Sequence, residues 1–348
     1  MDKRDRDLIR ALPKVELHVH LEGSIQPTTL LKLAKRNGVD LGFHTEAQMR
    51  LRYQFRDIDH FMRLYEEMTF ALRQPEDFRL IAYEYGITAS AQGIRYAEVT
   101  FTADTHFRLK GIPFDEMIDA VWQGAAAAAA DTGIRLRFVI DHIRGLAVEA
   151  CFRTAEWCIA GRDRGVVALG MSGREAGFPA SLYGEAIVWA QAHGVPFVPH
   201  AGEVTESGDI WDVLQFKPAR IGHGIRAAGD TRLITFLSEH GITLDICPSS
   251  NLLLGNVPRE EIHPIRQLWE AGVPVTINTD DPPMFSTSLV DEYALCAAQY
   301  SFSIEELAGI SIQGVRSSLL NADDRVALEH TFRGELAQMG IEAKVGGV

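Results

Sequence analysis

Apolar residues in this chain gather into short runs separated by longer stretches of helical spacing. Eight runs rich in β-branched residues stand out, at positions 14–20, 94–101, 135–142, 166–172, 195–201, 219–224, 243–248 and 273–280. Several are near-continuous rather than alternating, the pattern of parallel strands buried on both faces. The segments between them are long enough for helical crossovers. A βα unit repeated eight times predicts an α/β chain folded as a (β/α)8, or TIM, barrel. Such barrels often carry this length as one unit, so residues 1–348 are expected to form a single domain.

The first connection, residues 21–93, is unusually long. Amphipathic spacing at 27–36, 58–72 and 76–91 predicts a helical insertion after strand 1, beside the barrel mouth. The alanine run at 125–130 fits a closely packed barrel helix, alanine being the best helix former. The tail beyond Gly340 ends in Val-Gly-Gly-Val and is expected to fray.

Composition narrows the partners. Hydrophobic residues make up 46 %, enough for a sizeable core. Lys plus Arg is 34 and Asp plus Glu is 47, giving a formal net charge of −13 with no basic run, which argues against a nucleic-acid partner. The N-terminal segment is charged rather than apolar, and no stretch of about 20 apolar residues offers a membrane span. Cys151, Cys158, Cys247 and Cys296 are scattered without a CxxC pair, as free buried thiols are. The chain therefore reads as cytoplasmic, with a small molecule as its partner and no membrane; a homo-oligomer is compatible with the sequence.

Polar residues supply the chemistry. A barrel of this kind places its reactive groups at the C-terminal strand ends. Five of the 12 histidines, His18, His20, His142, His200 and His223, fall at or just inside such ends, and strand eight closes on Asp280-Asp281. His18 and His20 are two apart in a strand, so their rings share a side. With His200 and Asp280 they form a His₃Asp set suited to Zn²⁺. Strand four has no lysine to be carboxylated and its only acid, Glu175, lies beyond the strand end, so one zinc per chain is expected, lowering the pKa of a bound water to about 7. Glu203, in His-Ala-Gly-Glu, is placed to donate a proton. His223 sits between two glycines, an arrangement read as exposing its ring to a ligand.

The segments Pro13–Ser24, His200-Ala201-Gly202-Glu203, Arg220-Ile221-Gly222-His223-Gly224 and Asn278-Thr279-Asp280-Asp281-Pro282 together resemble the adenosine deaminase family, in that family's order from residue 13 to about 320. The resemblance implies a zinc-dependent hydrolase of the EC 3.5.4 type, active in purine metabolism, that deaminates a 6-aminopurine nucleoside to the 6-oxo product and ammonia. It implies His18, His20, His200 and Asp280 as zinc ligands. Glu203 would protonate purine N1, and His223 would orient and deprotonate the water. Asp281 would lie near N7 and hold the water, and Gly173 would face N3. Substrate contacts would come from His20, Glu22, Gly173 and Asp281, with Glu22 at the 5′ end of a ribose. Adenosine-specific members usually have Asp where this chain has Glu22, and an acid in strand four where it has Gly170. Glu22 points to adenine or aminodeoxyfutalosine deaminases, and residues 198–203 and 280–285 lean toward the latter. Gly222 before His223 is the nucleoside-type choice.

Two other classes compete. Another mononuclear zinc amidohydrolase would not need Glu203 and Asp281, which suit an aromatic ring protonated on nitrogen. A non-catalytic protein on the same fold would have lost one of these groups, and none is lost. The H-x-E with P-C-x-x-C signature of nucleobase-editing deaminases is absent.

Overall fold

A computed structural model describes residues 3–258 and 260–346. Among them, eight parallel strands follow one another round a single sheet in sequence order. They are β1 (Lys14–His20), β2 (Ile94–Phe101), β3 (Arg135–Arg144), β4 (Val166–Gly173), β5 (Phe197–Ala201), β6 (Ile221–His223), β7 (Leu244–Ile246) and β8 (Val275–Ile277). Helices surround them, and the expected (β/α)8 barrel is the fold observed. β1 and β2 have the expected bounds; β6, β7 and β8 are shorter than the apolar runs suggested. Two of these runs carry left-handed residues, His223 with φ 60° and Asp280 with φ 64°. A non-glycine residue in that region costs about 1–3 kcal/mol and survives only where its surroundings impose it.

The seam between β8 and β1 is closed partly by a side chain. Asn278 Oδ1 accepts the main-chain N–H groups of Leu17 at 2.8 Å and His18 at 3.1 Å. His20 N then donates to the Asp280 carbonyl at 2.9 Å and Asp280 N to the His18 carbonyl at 3.2 Å. Closure of the barrel thereby fixes Asp280 beside both histidines of β1.

The long first connection holds four helices, Pro27–Arg36, Glu46–Arg52, Ile58–Thr69 and Pro75–Ser90. The second of these went unpredicted. The last is a helix of the barrel wall rather than of the insertion. It packs on Phe114–Thr132, which contains the alanine run. A side chain at Gly124 would overlap the Arg79 carbonyl, and one at Gly86 would overlap Ala128, so small residues set this close approach. Helix Ile58–Thr69 starts at Asp57, whose side chain accepts His60 N. It buries Phe61, Leu64 and Met68, spaced as one helical face, and Phe61 stacks on Phe285 with centroids 5.3 Å apart, tying the insertion to the loop after β8.

The C-terminal tail does not fray over its described length. Lys344 N donates to the Glu305 carbonyl at 2.9 Å, and Ile341, Ala343 and Val345 pack on the core. The final Gly-Val pair lies outside the described residues. Among those residues, no helix is long and apolar enough to cross a membrane, and the four cysteines are free and buried.

Candidate active site

β1 brings His18 and His20 to the barrel mouth, β5 brings His200, and the turn after β8 brings Asp280. Their ligand atoms lie within 4.8 Å of one another, and all four residues are buried. His18 Nε2 and His20 Nε2 are 3.4 and 3.3 Å from Asp280 Oδ1, and His20 Nε2 is 3.2 Å from His200 Nε2. Four ligands held tetrahedrally at about 2.0–2.1 Å from zinc stand about 3.3–3.4 Å apart, so these spacings suit the metal.

The surroundings leave one donor of each ligand free for an ion. His200 Nδ1 donates to the Met171 carbonyl at 3.1 Å, which keeps Nε2 as a lone pair facing inward. Asp280 Oδ2 accepts Ser250 Oγ at 2.7 Å, leaving Oδ1 toward the histidines. Among the described residues, the buried His18 Nε2 has no hydrogen-bond partner. Burial opposes a charged His20, but the Asp281 and Asp280 carboxylates overcome it and raise its ring to a pKa of about 10. Burial pushes Asp280 upward, and the His18 and His20 rings outweigh it and hold that carboxyl well below the usual range. This pocket demands a positive charge, and a divalent cation would supply it.

Close approach of backbone to His18 and Asp281 dictates two glycines. A side chain at Gly222 would strike the His18 ring, and one at Gly23 would overlap the Asp281 carboxylate. Clearing His18 is therefore the role of Gly222; it does not expose His223, which is 1 % accessible.

Glu203, His223 and Asp281 surround the ligand cluster. Burial first, then Asp280 and Glu175, raise the Glu203 carboxyl well above the usual range, which favours its protonated form. Its Oε1 accepts Asn256 Nδ2 at 2.8 Å, and its Oε2 lies 3.7 Å from His223 Nε2. Burial, then the His18 ring, lower His223 to about 3, so its imidazole is neutral. Asp281 is raised by burial and by Asp280, and its buried Oδ1 has no hydrogen-bond partner among the described residues.

A cavity of about 510 Å³ opens onto this cluster. His20, Gly173, Glu203, His223, Asp280 and Asp281 line its base, and Ile58, Phe61, Met62 and Tyr65 form a wall from the insertion. Arg108 and Arg174 stand among its lining residues, held only loosely by Asp104 at 3.9 Å and Asp59 at 3.7 Å. Glu22 lines a small adjacent space instead. Its Oε1 accepts Thr102 N at 3.1 Å and pairs with His106 Nε2 at 3.0 Å, and Tyr65 Oη donates to its Oε2 at 3.3 Å.

His142 alone among the five strand-end histidines stays apart. Asp141 takes the inward place on β3, bonded to Ser172, while the His142 ring packs on Tyr183 with centroids 4.5 Å apart. Other residues escaped sequence reasoning. Glu175 accepts Glu203 N at 3.0 Å, Val204 N at 2.9 Å and Thr205 N at 2.7 Å, and so holds the loop that carries Glu203. Ser250, Asn251 and Asn256 follow β7. The polar run Pro248-Ser249-Ser250-Asn251 at a strand end was the available signal.

A (β/α)8 barrel whose mouth holds a His₃Asp metal-binding cluster beside buried acids defines a metal-dependent hydrolase class. The chain belongs to the adenosine deaminase family, whose model matches residues 13–333. It is 38 % identical over 324 residues to an aminodeoxyfutalosine deaminase of Streptomyces avermitilis, covering 91 % of this chain and 90 % of that one. It is 33 % identical over 315 residues to an adenine deaminase of Bordetella avium, covering 90 % and 99 %. The crystal structure of an amidohydrolase from Burkholderia ambifaria with bound Zn superposes with a TM-score of 0.91 at 26 % identity, covering 98 % of this chain and 94 % of that one. The protein is a hydrolytic deaminase acting on C–N bonds of aminopurine-like substrates.

Proposed function

We propose that the protein deaminates a 6-aminopurine nucleoside enlarged at its sugar end, the class to which aminodeoxyfutalosine belongs, using one zinc held by His18, His20, His200 and Asp280. The cavity carries this reading: about 510 Å³ lies within the range that encloses drug-sized ligands and exceeds the needs of a free base. Arg108 and Arg174 along its wall suit an anionic or strongly polar tail.

Zinc bound there supplies a nucleophilic oxygen at neutral pH by acidifying water. The chain's own residues do the rest. Glu203, protonated by its surroundings, donates to N1 and makes C6 electrophilic. Asp281, with its free Oδ1, holds the water and carries a proton to the amino group. Gly173 offers its main chain to the purine edge, and His20 bounds the ring's approach. Over one turnover the water oxygen bonds to C6. The proton given by Glu203 stays on N1, and one water proton returns to the Glu203 carboxylate. The other leaves as part of ammonia when the C6–N bond breaks with its electron pair on nitrogen.

A second reading, deamination of adenine itself, is favoured by Glu22. The residue expected to meet the ribose is already bonded to Thr102, His106 and Tyr65. Ammonia release from adenine, adenosine, deoxyadenosine, S-adenosylhomocysteine and aminodeoxyfutalosine separates the two. We expect the highest kcat/KM for a 5′-enlarged nucleoside and the lowest for adenine. The reverse order would establish the second reading and overturn the first.

A further inference from the structure

Behind His223 runs a chain of hydrogen bonds whose direction is fixed at its far end. The main-chain N–H of Ile265 points at His263 Nδ1 at 3.1 Å. A main-chain nitrogen can only donate, so His263 Nδ1 accepts and its proton resides on Nε2. His263 Nε2 lies 3.2 Å from Asn251 Oδ1, which accepts that proton. The Asn251 amide must then present its nitrogen to His223 Nδ1, 3.1 Å away. Turning the amide over would set two donors face to face against His263, so the direction does not depend on which amide atom is called oxygen. His223 Nδ1 is therefore an acceptor, and the proton of its neutral ring sits on Nε2, the nitrogen that faces Glu203 and the cavity.

Burial keeps the His263 ring uncharged. His263 is lowered to about 3, and a charged His223 would turn an Nδ1–H against the Asn251 amide. Three of the partners, His223, Asn251 and His263, are at most 1 % accessible, so water does not compete for the bonds. His223 itself has left-handed backbone, φ 60°, a conformation that persists only where the surrounding structure imposes it.

We propose that Asn251 and His263 are positioning residues that lock His223 as the Nε2–H tautomer, making it a hydrogen-bond donor to the oxygen that attacks C6 rather than the base that deprotonates water. This rests on the proposed function, in which zinc held by His18, His20, His200 and Asp280 would supply the attacking oxygen. It reverses the role that the family resemblance implies for His223, and it leaves the protons of water to Asp281 and Glu203.

Two-bond ¹H–¹⁵N spectra of histidine-labelled, metal-loaded protein read the tautomer without any turnover, with the His223 signals assigned by their loss in His223→Ala. We expect Nε2–H at His223 in the wild type; Nδ1–H there would overturn the proposal. Asn251→Asp replaces the donor with an acceptor and should switch the ring to Nδ1–H. Zinc content and KM should stay close to wild type, while kcat falls about 10²–10³-fold, the usual cost of an oxyanion donor. A kcat within threefold of wild type after the switch would overturn the proposal. His263→Gln retains an N–H donor toward Asn251 and should lose less than His263→Leu; equal losses would count against the relay. If every purine tested proves inert, the substrate reading fails while the spectra still decide the tautomer.

Discussion

Two buried polar clusters share the inside of this barrel, and they are built to opposite rules. In one, Arg220 bridges β2 and β7. Its Nη2 donates to Glu98 at 2.6 Å, its Nε to Asp245 at 2.9 Å and its Nη1 to the Ser317 carbonyl at 2.9 Å. The remaining oxygens are occupied too. Tyr96 Oη and Leu319 N donate to Glu98 Oε1, and Thr276 Oγ1 donates to Asp245 Oδ1. At the mouth, three imidazoles and two adjacent carboxylates crowd together, with His18 Nε2 and Asp281 Oδ1 lacking partners among the described residues and two left-handed residues in the backbone. The closed inventory marks a structural cluster. The open one is left unsatisfied for an ion and a substrate to complete.

The largest effect that tests this contrast is chemical. Glu203→Gln keeps the size of the side chain and its place beside Asn256 but removes the transferable proton. Turnover should fall about 10²–10⁴-fold while zinc content and melting temperature stay near wild type. Near-normal kcat would show that Glu203 is a loop charge and would move the acid elsewhere. At the closed cluster the balance reverses. Arg220→Met leaves Glu98 and Asp245 buried without their counterion, at a cost of about 3–5 kcal/mol. Denaturant unfolding should show that loss, and whatever enzyme still folds should keep its kcat. A variant as stable as wild type would mean that the carboxyls simply take up protons and that the pairing contributes little.

Legibility in the sequence followed the same division. The barrel was readable because strands buried on both faces write themselves as apolar runs, and the convergence of the candidate ligands because period two in β1 set His18 and His20 on one side. Relations between distant side chains were not readable. Nothing local in Glu175 shows that it will fasten the main chain of Glu203 to Thr205. Asn251 and His263 carry no motif that ties them to His223. His142 misled because a strand end has two faces, and Asp141 took the inner one. The left-handed backbone at His223 and Asp280 was hidden because it answers to the site rather than to local preference. Arg220 stood in a recognised motif, yet its role depends on Glu98, 122 positions away.

Glu292 lies between the two extremes and gives the finest test. It is fully buried in helix Leu289–Tyr300, and its carboxylate accepts Ser249 N at 3.0 Å and Thr287 Oγ1 at 2.6 Å. Its hydrogen bonds are made, as at Arg220, but none of these partners is a cation. Burial accordingly raises its pKa to about 7, only partly offset by the Ser249 and Thr287 bonds. The folded form thus holds a proton that the unfolded chain releases near its ordinary value of 4.5. Between those two values the native state binds more protons than the unfolded state, so stability falls as pH rises from about 4.5 to about 7, and the penalty then stays constant. Gln at this position resembles the protonated acid: its carbonyl can accept Ser249 N, and its amide can donate to the Thr287 hydroxyl, which turns to accept. In metal-loaded protein, Glu292→Gln should melt within about 1 °C of wild type near pH 5 and a few degrees higher near pH 8, as expected for a penalty of a few kcal/mol in a chain of this size. A difference that stays flat from pH 5 to pH 8 would show that two hydrogen bonds stabilise a buried carboxylate without any countercharge. The contrast between the two clusters would then rest on bond inventory alone and not on charge.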